Sequence, residues 1–588
     1  MLEKYIHIDT AHTLSLQDQI KIGITQAIAS GFIDKQTPVT SSRKLAMSLN
    51  VSRNTVLRVY EQLNDDGFFI SRERRGYFIN PDIEFHSQTT KTKPNNTLDW
   101  GRYLAEKQEV FDLEPPISEG YPYRFVHGMV DESTFPVAEW RRCSIQCLNK
   151  SNSKLWTSVN KDYDDLIEQI RTRVLPRRGI FAQADEIIVT QGSQQSLNLI
   201  SQLLTTKSTV VGIENPGYPE AYHQLAANNA HMIPLDVDDN GLVVNSDLAD
   251  CNLVYTTPSN QFPTTVRMPT KRRKALLDAA EQHDVIIIED DFENEVNFLE
   301  ADTLALKGEF NSERIIYLSS FSSTIAPGLR LGFMVASPPL IKSAMQLQRK
   351  NHCYPPQNNC KTLALFLSLG HCDSLLKKLV SNLRQKWLTM EKALNYYFPQ
   401  SGAAPSLSGT AFWIDYKHGF DAHRLAELAE KQGILINSGE QYYFSRPSAN
   451  CFRLSFNSIE ETHIREGIRQ LSILAKKILP ISSVESTRGQ RLKGDDIRSV
   501  LTQHTLLTSD CFKIPYTITF QADGRMFGVS DRPNDQDEGY WWVENDTLCF
   551  QWKEWQFADI RRHLLIKQGK ILMRFDAEGN CVSTGVLL

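Results

Sequence analysis

No stretch of the 588-residue sequence is apolar over the length a membrane-spanning helix needs, and the mean hydropathy is −0.34. The opening residues, Met1-Leu-Glu-Lys-Tyr-Ile-His7, are charged and lack an apolar centre, so no secretory signal is expected and the cytosol is the expected compartment. Cysteine is scarce and irregular: ten residues without repeating spacings, which fits reduced thiols and excludes a disulfide framework. The tightest group, His352, Cys353, Cys360, His371 and Cys372, matches no standard zinc spacing, so no metal site is expected. Neither sign of charge dominates. With 64 Lys and Arg against 69 Asp and Glu the net charge is −5, and any nucleic-acid surface must be local. A single core does not extend over this length, so several domains are expected.

The first eighty residues carry such a local surface. Ile20, Ile24, Ala27 and Ile28 recur at helical spacing, and Gly31 follows as a stop. A second helix is expected after Pro38 with Leu45 and Leu49 inward. A third is expected after the N-cap Ser52, with Val56, Val59, Tyr60 and Leu63 buried and Asp65-Asp66-Gly67 ending it. Phe68-Phe69-Ile70 and Tyr77-Phe78-Ile79 read as two strands around Arg72-Glu73-Arg74-Arg75-Gly76. Three helices and a basic-tipped hairpin describe a winged helix-turn-helix over residues 12–80. Ser42-Arg43-Lys44-Leu45-Ala46 and Val51-Ser52-Arg53-Asn54-Thr55-Val56, then Leu63 and Gly67, resemble the GntR group of DNA-binding domains. The resemblance implies a double-stranded DNA operator as partner. Arg43, Arg53, Asn54 and Thr55 would meet the major groove, and Arg72, Arg74 and Arg75 the phosphates or the minor groove. A solvated basic face on a protein-interaction module is the alternative.

Residues 81–120 turn polar and lose periodicity, which reads as a linker with one short helix near Tyr103 to Val110. An α/β body is expected over 121–478. Ile187-Ile-Val-Thr190 leads through Gln191-Gly192-Ser193-Gln194 into a helix, a turn that offers backbone N–H groups to an anion. Val285-Ile-Ile-Ile-Glu-Asp-Asp291 is a buried parallel strand that ends in acids at its C-terminal edge, where such sheets bind ligands. Long helices follow residue 340, then a smaller lobe with strands at Gly433 to Asn437 and Phe452 to Phe456.

Tyr317-Leu-Ser-Ser-Phe-Ser-Ser-Thr-Ile-Ala-Pro-Gly-Leu-Arg-Leu-Gly-Phe333, together with Phe135-Pro136, Trp140 and Asn215-Pro216-Gly217-Tyr218, resembles the MocR/GabR-type transcription regulators. These join a GntR-like head to a fold-type I, aminotransferase-like domain, and the resemblance runs over about residues 12–475. It implies that Gly192, Ser193, Gln194, Ser320, Ser322 and Arg330 surround a cofactor phosphate. Asp290 would face the pyridine nitrogen, Tyr218 would lie against the ring, and Arg453 would hold a ligand carboxylate. Each has a plainer alternative: a strand-end cap for Asp290, a core tyrosine for Tyr218, a salt bridge for Arg453. The position of the family's Schiff-base lysine is Ser323, and a hydroxyl cannot form an imine with an aldehyde. Further departures surround it: Phe292 in place of a tyrosine, Thr265 in place of a glycine, and Ser158-Val-Asn-Lys-Asp-Tyr-Asp164 without the usual glycines. Pyridoxal phosphate is therefore expected, if at all, without a covalent bond, and catalysis is not expected.

Residues 492–588 change pattern again. Tyr516 to Phe520, Arg525 to Gly528, Tyr540 to Val543, Thr547 to Trp552 and Ile571 to Phe575 read as strands of a small all-β barrel or sandwich, able to fold alone. Trp541, Trp542, Trp552 and Trp555 are its core aromatics or the lining of a ligand cavity. Three functions stay open: a dimeric DNA-binding regulator whose body senses pyridoxal phosphate or a small amino compound, a working aminotransferase, and a regulator whose body is a cofactor-free dimerisation scaffold.

Overall fold

The computed structural model describes the chain apart from residues 1, 3–4, 7, 9–13, 30–32, 34, 74, 84–119, 129–130, 153–162, 294–303, 323, 400–401, 404–408, 417–418, 446–447, 449, 479–486 and 578. Most of the expected linker, the helix near Tyr103, Arg74, Ser323 and the glycine-poor segment Ser158 to Asp162 lie outside the described residues. The chain forms two compact units, Met1–Ile117 and Ser118–Leu588.

The first unit has helices Leu16–Ala29, Ser42–Ser48 and Arg53–Asp65, then antiparallel strands Phe69–Arg72 and Gly76–Ile79. Ser41 and Ser52 cap the second and third helices, their hydroxyls accepting from the backbone N–H of Lys44 and Thr55. Ile20, Ile24, Leu45, Val56, Val59, Tyr60 and Leu63 form one core with Phe69 and Ile79 of the hairpin. Leu49, expected inward, is only partly buried.

The second unit is built on an eight-stranded sheet. In spatial order its strands are Ile187–Thr190, Gly332–Val335, Ile315–Ser320, Ile286–Asp290, Leu253–Thr256, Val210–Asn215, His231–Asp238 and Gly241–Leu242. The five strands from Ile315–Ser320 to His231–Asp238 run parallel. All but His231–Asp238 are buried almost continuously, which explains their β-branched runs, since helices cover both faces of such a sheet. Their C-terminal ends bring Asn215, Asp290 and Ser320 to one edge. Helices Pro338–Lys350, Gln357–Ser368 and His371–Tyr397 lead to a five-stranded sheet, in which Cys451–Ser455 lies between Ala411–Asp415 and Ile434–Ser438.

The C-terminal segment closes into an eight-stranded antiparallel barrel. Strands Thr505–Ser509, Pro515–Phe520, Arg525–Ser530, Gln536–Glu544, Thr547–Trp552, Arg561–Gln568, Ile571–Phe575 and Cys581–Leu587 pair each with the next, and the last pairs with the first. The segment is not purely β: helix Gly494–Gln503 precedes the first strand and sends Ile497 and Leu501 into the barrel core. Its apolar residues behind Asp495-Asp496, Ile497, Val500 and Leu501, span one turn, too short a period to reveal it. Strands Thr505–Ser509, Arg561–Gln568 and Cys581–Leu587 were also unmarked, and they are the ones that close the ring. Trp541 and Trp552 are core, whereas Trp542 is half-buried.

The barrel is docked on the smaller lobe. Cys511 and Phe512 leave the ring and enter that lobe's core, with Phe512 5.7 Å from the Phe412 ring. The N–H of Cys511 donates to Asn395 Oδ1 at 3.0 Å, Arg532 pairs with Glu391, and Lys476 Nζ lies 2.9 Å from Asp576. Truncation of a buried phenylalanine costs about 3–5 kcal/mol. Phe512→Ala is therefore expected to lower the urea midpoint of the full chain by an amount in that range. A shift under about 1 kcal/mol would mean that the docked face contributes little to stability.

Candidate functional site

At the C-terminal edge of the large sheet the strand Ile286–Asp290 ends in three buried acids, each answered differently. Glu289 accepts from the N–H groups of Leu306 and Lys307 at 2.6 and 2.9 Å and so caps the following short helix. Asp291 takes Arg178 at 2.8 Å and the Tyr317 hydroxyl at 2.8 Å. Burial pushes its carboxyl up, but Arg178 outweighs this and holds it below the usual range. Between them Asp290 turns into a cavity. Its Oδ2 accepts from the Tyr255 hydroxyl at 2.9 Å, and its Oδ1 is buried with no hydrogen-bond partner among the described residues. Desolvation lifts the Asp290 carboxyl to about 7. The helix-capping alternative weighed for Asp290 belongs to its neighbour Glu289.

The cavity measures about 150 Å³. Ser193, Tyr218, Asp290, Ser320 and Ser322 line it, each on a different turn or strand end. Gly192 opens the helix Ser193–Leu204 with a φ of 87°, in the region that favours glycine. Gln194 donates through Nε2 to the Tyr218 hydroxyl at 3.0 Å, and the N–H of Ser322 donates to Ser320 Oγ at 3.2 Å. Tyr218 stands edge-on to Phe262, 5.2 Å between ring centroids.

Arg453 is 1 % exposed, and its Nε and Nη1 have no hydrogen-bond partner among the described residues. Its guanidinium lies 4.9 Å from the ring centroid of Phe262, a cavity wall. A fully buried guanidinium with idle donors is costly, so the salt-bridge alternative does not describe it. Arg330 is exposed and has a left-handed backbone with φ 50°. Gly192, Gln194, Arg330 and Arg453 are not among the residues lining the cavity.

Several lining groups carried no signal in the sequence. His127 is half-buried, and burial together with the nearby Arg453 lowers its imidazole to about 3. Glu293 accepts from the N–H and hydroxyl of Thr410, from a segment more than a hundred residues away. Phe292 also lines the cavity, so the hydroxyl that a tyrosine would bring there is missing. Thr265 adopts φ 63°, which explains why a glycine is the common choice at that turn.

In the first unit, Arg43, Arg53, Asn54, Arg72 and Arg75 are exposed and Thr55 is half-buried by its contact with Ser52. The Arg72 guanidinium lies over the Phe78 ring at 4.6 Å. Among the described residues no group of three or more His, Cys, Asp or Glu is placed to hold a metal, and no helix is long and apolar enough to cross a membrane.

Residues 130–471 match the aminotransferase class I and II family. The chain is 34% identical over 468 residues to the HTH-type transcriptional regulator TauR of Rhodobacter capsulatus, covering 78% of this chain and 96% of that one. The probable rhizopine catabolism regulatory protein MocR of Rhizobium meliloti is 25% identical, over 79% of this chain and 94% of its own. The chain belongs to the MocR-type transcription regulators. Its body also overlays the kynurenine aminotransferase of Pyrococcus horikoshii, solved in complex with PMP, with TM-score 0.59 and 27% identity, over 65% of this chain and 98% of that one. This MocR-type chain thus has an aminotransferase-like domain of fold type I with a cavity in its usual place on the parallel sheet.

The charge state of Asp290 gives a direct test of the cavity. Its folded value is raised above the ordinary 3.8, so the folded state holds the proton more tightly, and this contribution to stability is lost as pH rises from about 4 through 7. Asp290→Asn removes the buried charge. The variant should match the parent below about pH 4 and exceed it by on the order of 2–4 kcal/mol above pH 7 in urea unfolding. A gap that is the same at every pH would show that Asp290 is not the group titrating.

Proposed function

We propose that this protein is a DNA-binding transcription regulator whose aminotransferase-like body senses a small ligand without turning it over. Residues 12–80 act as the winged helix-turn-helix, 81–120 as a tether and 121–478 as the dimerising sensor, with 492–588 appended. The reading rests above all on buried polar atoms without partners among the described residues: Asp290 Oδ1 in the cavity, and Arg453 Nε and Nη1 beside its Phe262 wall. Folding leaves such atoms idle at a cost unless something binds them. The set suits pyridoxal phosphate: an acid for the ring nitrogen, Tyr218 beside the ring, and Ser193, Ser320 and Ser322 near a helix N-terminus for the phosphate. That group, when bound, supplies an aldehyde and an electron-withdrawing ring. Ser323 provides no covalent anchor and no base for the reaction that the family's lysine carries out. The fitting output is occupancy, with Arg453 holding the carboxylate of a small amino compound. The cytosol is the fitting compartment.

Arg330 supports a second reading, a cofactor-free scaffold, because its exposed position gives the phosphate one partner fewer. Titration with pyridoxal phosphate separates the two, since a ligand that binds only the folded form raises the melting temperature. Ser323→Lys, treated with pyridoxal phosphate and then borohydride, should retain the cofactor covalently while the parent releases it on denaturation. Retention by the parent would place the anchor on another lysine and remove the argument from Ser323. No stabilisation of either protein would favour the scaffold.

DNA binding gives an independent prediction. Arg53→Ala should cost about 1–3 kcal/mol on the cognate operator and relax base preference, while Arg75→Ala should weaken all sequences alike and reduce the salt slope. Unaltered retardation of an operator fragment by the Arg53 variant would count against the third helix as the reading element.

A further inference from the structure

The barrel has two unlike ends. Helix Gly494–Gln503 leads into the end where the first strand begins, and its Ile497 and Leu501 help fill the interior. The other end holds a cavity of about 150 Å³, roughly the volume that admits a benzene ring. Eight-stranded barrels enclose either packed side chains or one small ligand, and their mouths are common binding sites. Here the mouth is closed by the body rather than by solvent: Glu391, Lys392 and Asn395 of the helix His371–Tyr397 line the cavity opposite the strands.

The polar groups inside are poorly matched to one another. His563 is 3 % exposed and neither ring nitrogen has a hydrogen-bond partner among the described residues. Burial and the nearby Arg561 and Arg574 hold its imidazole in the neutral form. Gln556 Oε1 is likewise buried without a partner. Arg574 is buried and donates to the hydroxyls of Ser583 and Tyr516, and Arg561 lies over the Tyr396 ring at 4.1 Å. Among the described residues no carboxylate pairs with either arginine. The cavity's own acids are taken: Glu391 and Asp510 by Arg532, and Asp535 by the indole N–H of Trp555. An anion would complete this arrangement.

One wall is apolar. The Trp555 ring lies edge-on to Tyr516 at 5.8 Å and packs where Gly528 leaves room; a Cβ there would stand 2.3 Å from the indole. After Trp555, three consecutive non-glycine residues, Gln556, Phe557 and Ala558, hold φ of 55°, 60° and 56°. Strained backbone of this kind is kept where the surroundings require it.

We propose that the mouth of the barrel is a second ligand site, separate from the Asp290 cavity. It takes a compact organic carboxylate whose charge meets Arg574, Arg561 and His563 and whose ring or chain lies against Trp555. Occupancy would add contacts on both sides of the joint between barrel and body, which gives the appended domain a means of reporting to the sensor.

Isothermal titration of the full-length protein with benzoate, and with benzamide as its uncharged counterpart, tests the site. Benzoate should bind saturably at one site per chain, and benzamide about tenfold or more weakly, the size of a lost charge-assisted hydrogen bond. Arg574→Gln should weaken benzoate by a similar factor. Because that residue is buried, Arg561→Gln at the half-buried rim serves as the second variant, with circular dichroism to confirm folding. Arg453→Gln, in the other cavity, should leave the binding unchanged. The proposal is overturned by equal binding of benzamide, by no saturation at about 10 mM benzoate, a concentration too high for specific recognition, or by loss in the Arg453 variant with none in the Arg561 variant.

Discussion

Buried carboxylates must be neutralised or given partners, and three in a row at the end of one strand set the layout of the large domain. The pleat sends Glu289 and Asp291 to one face and Asp290 to the other. On the first face the partners are permanent: a helix N-terminus for Glu289 and Arg178 for Asp291. Loss of either would leave a charge stranded in a low-dielectric interior, a cost of several kcal/mol. On the second face Tyr255 satisfies one oxygen and nothing satisfies the other. The same strand therefore locks the sheet together and holds a polar atom open at its edge.

That edge belongs to an aminotransferase-like frame. The shape follows from parallel strands, buried β-branched runs and the crossover helices between them, none of which depend on residue 323. What the body retains is electrostatic: an acid lifted toward neutrality by burial, a guanidinium with idle donors, and an imidazole held neutral beside it. Groups in such states change their protonation or their hydrogen bonding when a ligand arrives. Binding energy is then available to shift a conformational equilibrium, in proportion to how differently the two states hold the ligand.

The barrel is docked on the smaller lobe. Its attachment is a core contact through Phe512, reinforced by Arg532 between Glu391 and Asp510. Burial raises Glu391 to about 7 although Arg532 opposes it, so the pair sits where local changes in charge are felt on both sides of the joint. A domain fixed in this way is coupled to the body by packing.

Local pattern determined a great deal. Helical spacing and the Ser52 cap gave the three N-terminal helices, the basic hairpin gave the wing-like strands, and the apolar run before Glu289-Asp290-Asp291 gave a buried parallel strand with acids at its end. Each of these is a short-range rule that the chain obeys within ten or so residues. The tertiary structure decided what depends on distant segments meeting. His127, Glu293, Thr410 and Asn457 share one cavity only because four separate loops converge there. Arg330 and Arg453, alike in the sequence, part company because one lies at an exposed turn and the other in the middle of a covered sheet. Closure of the barrel required the last strand to reach the first, and a helix with a single apolar turn became visible only once it filled that ring. Sequence periodicity reports which side of an element is buried; it carries no record of what the other side will face.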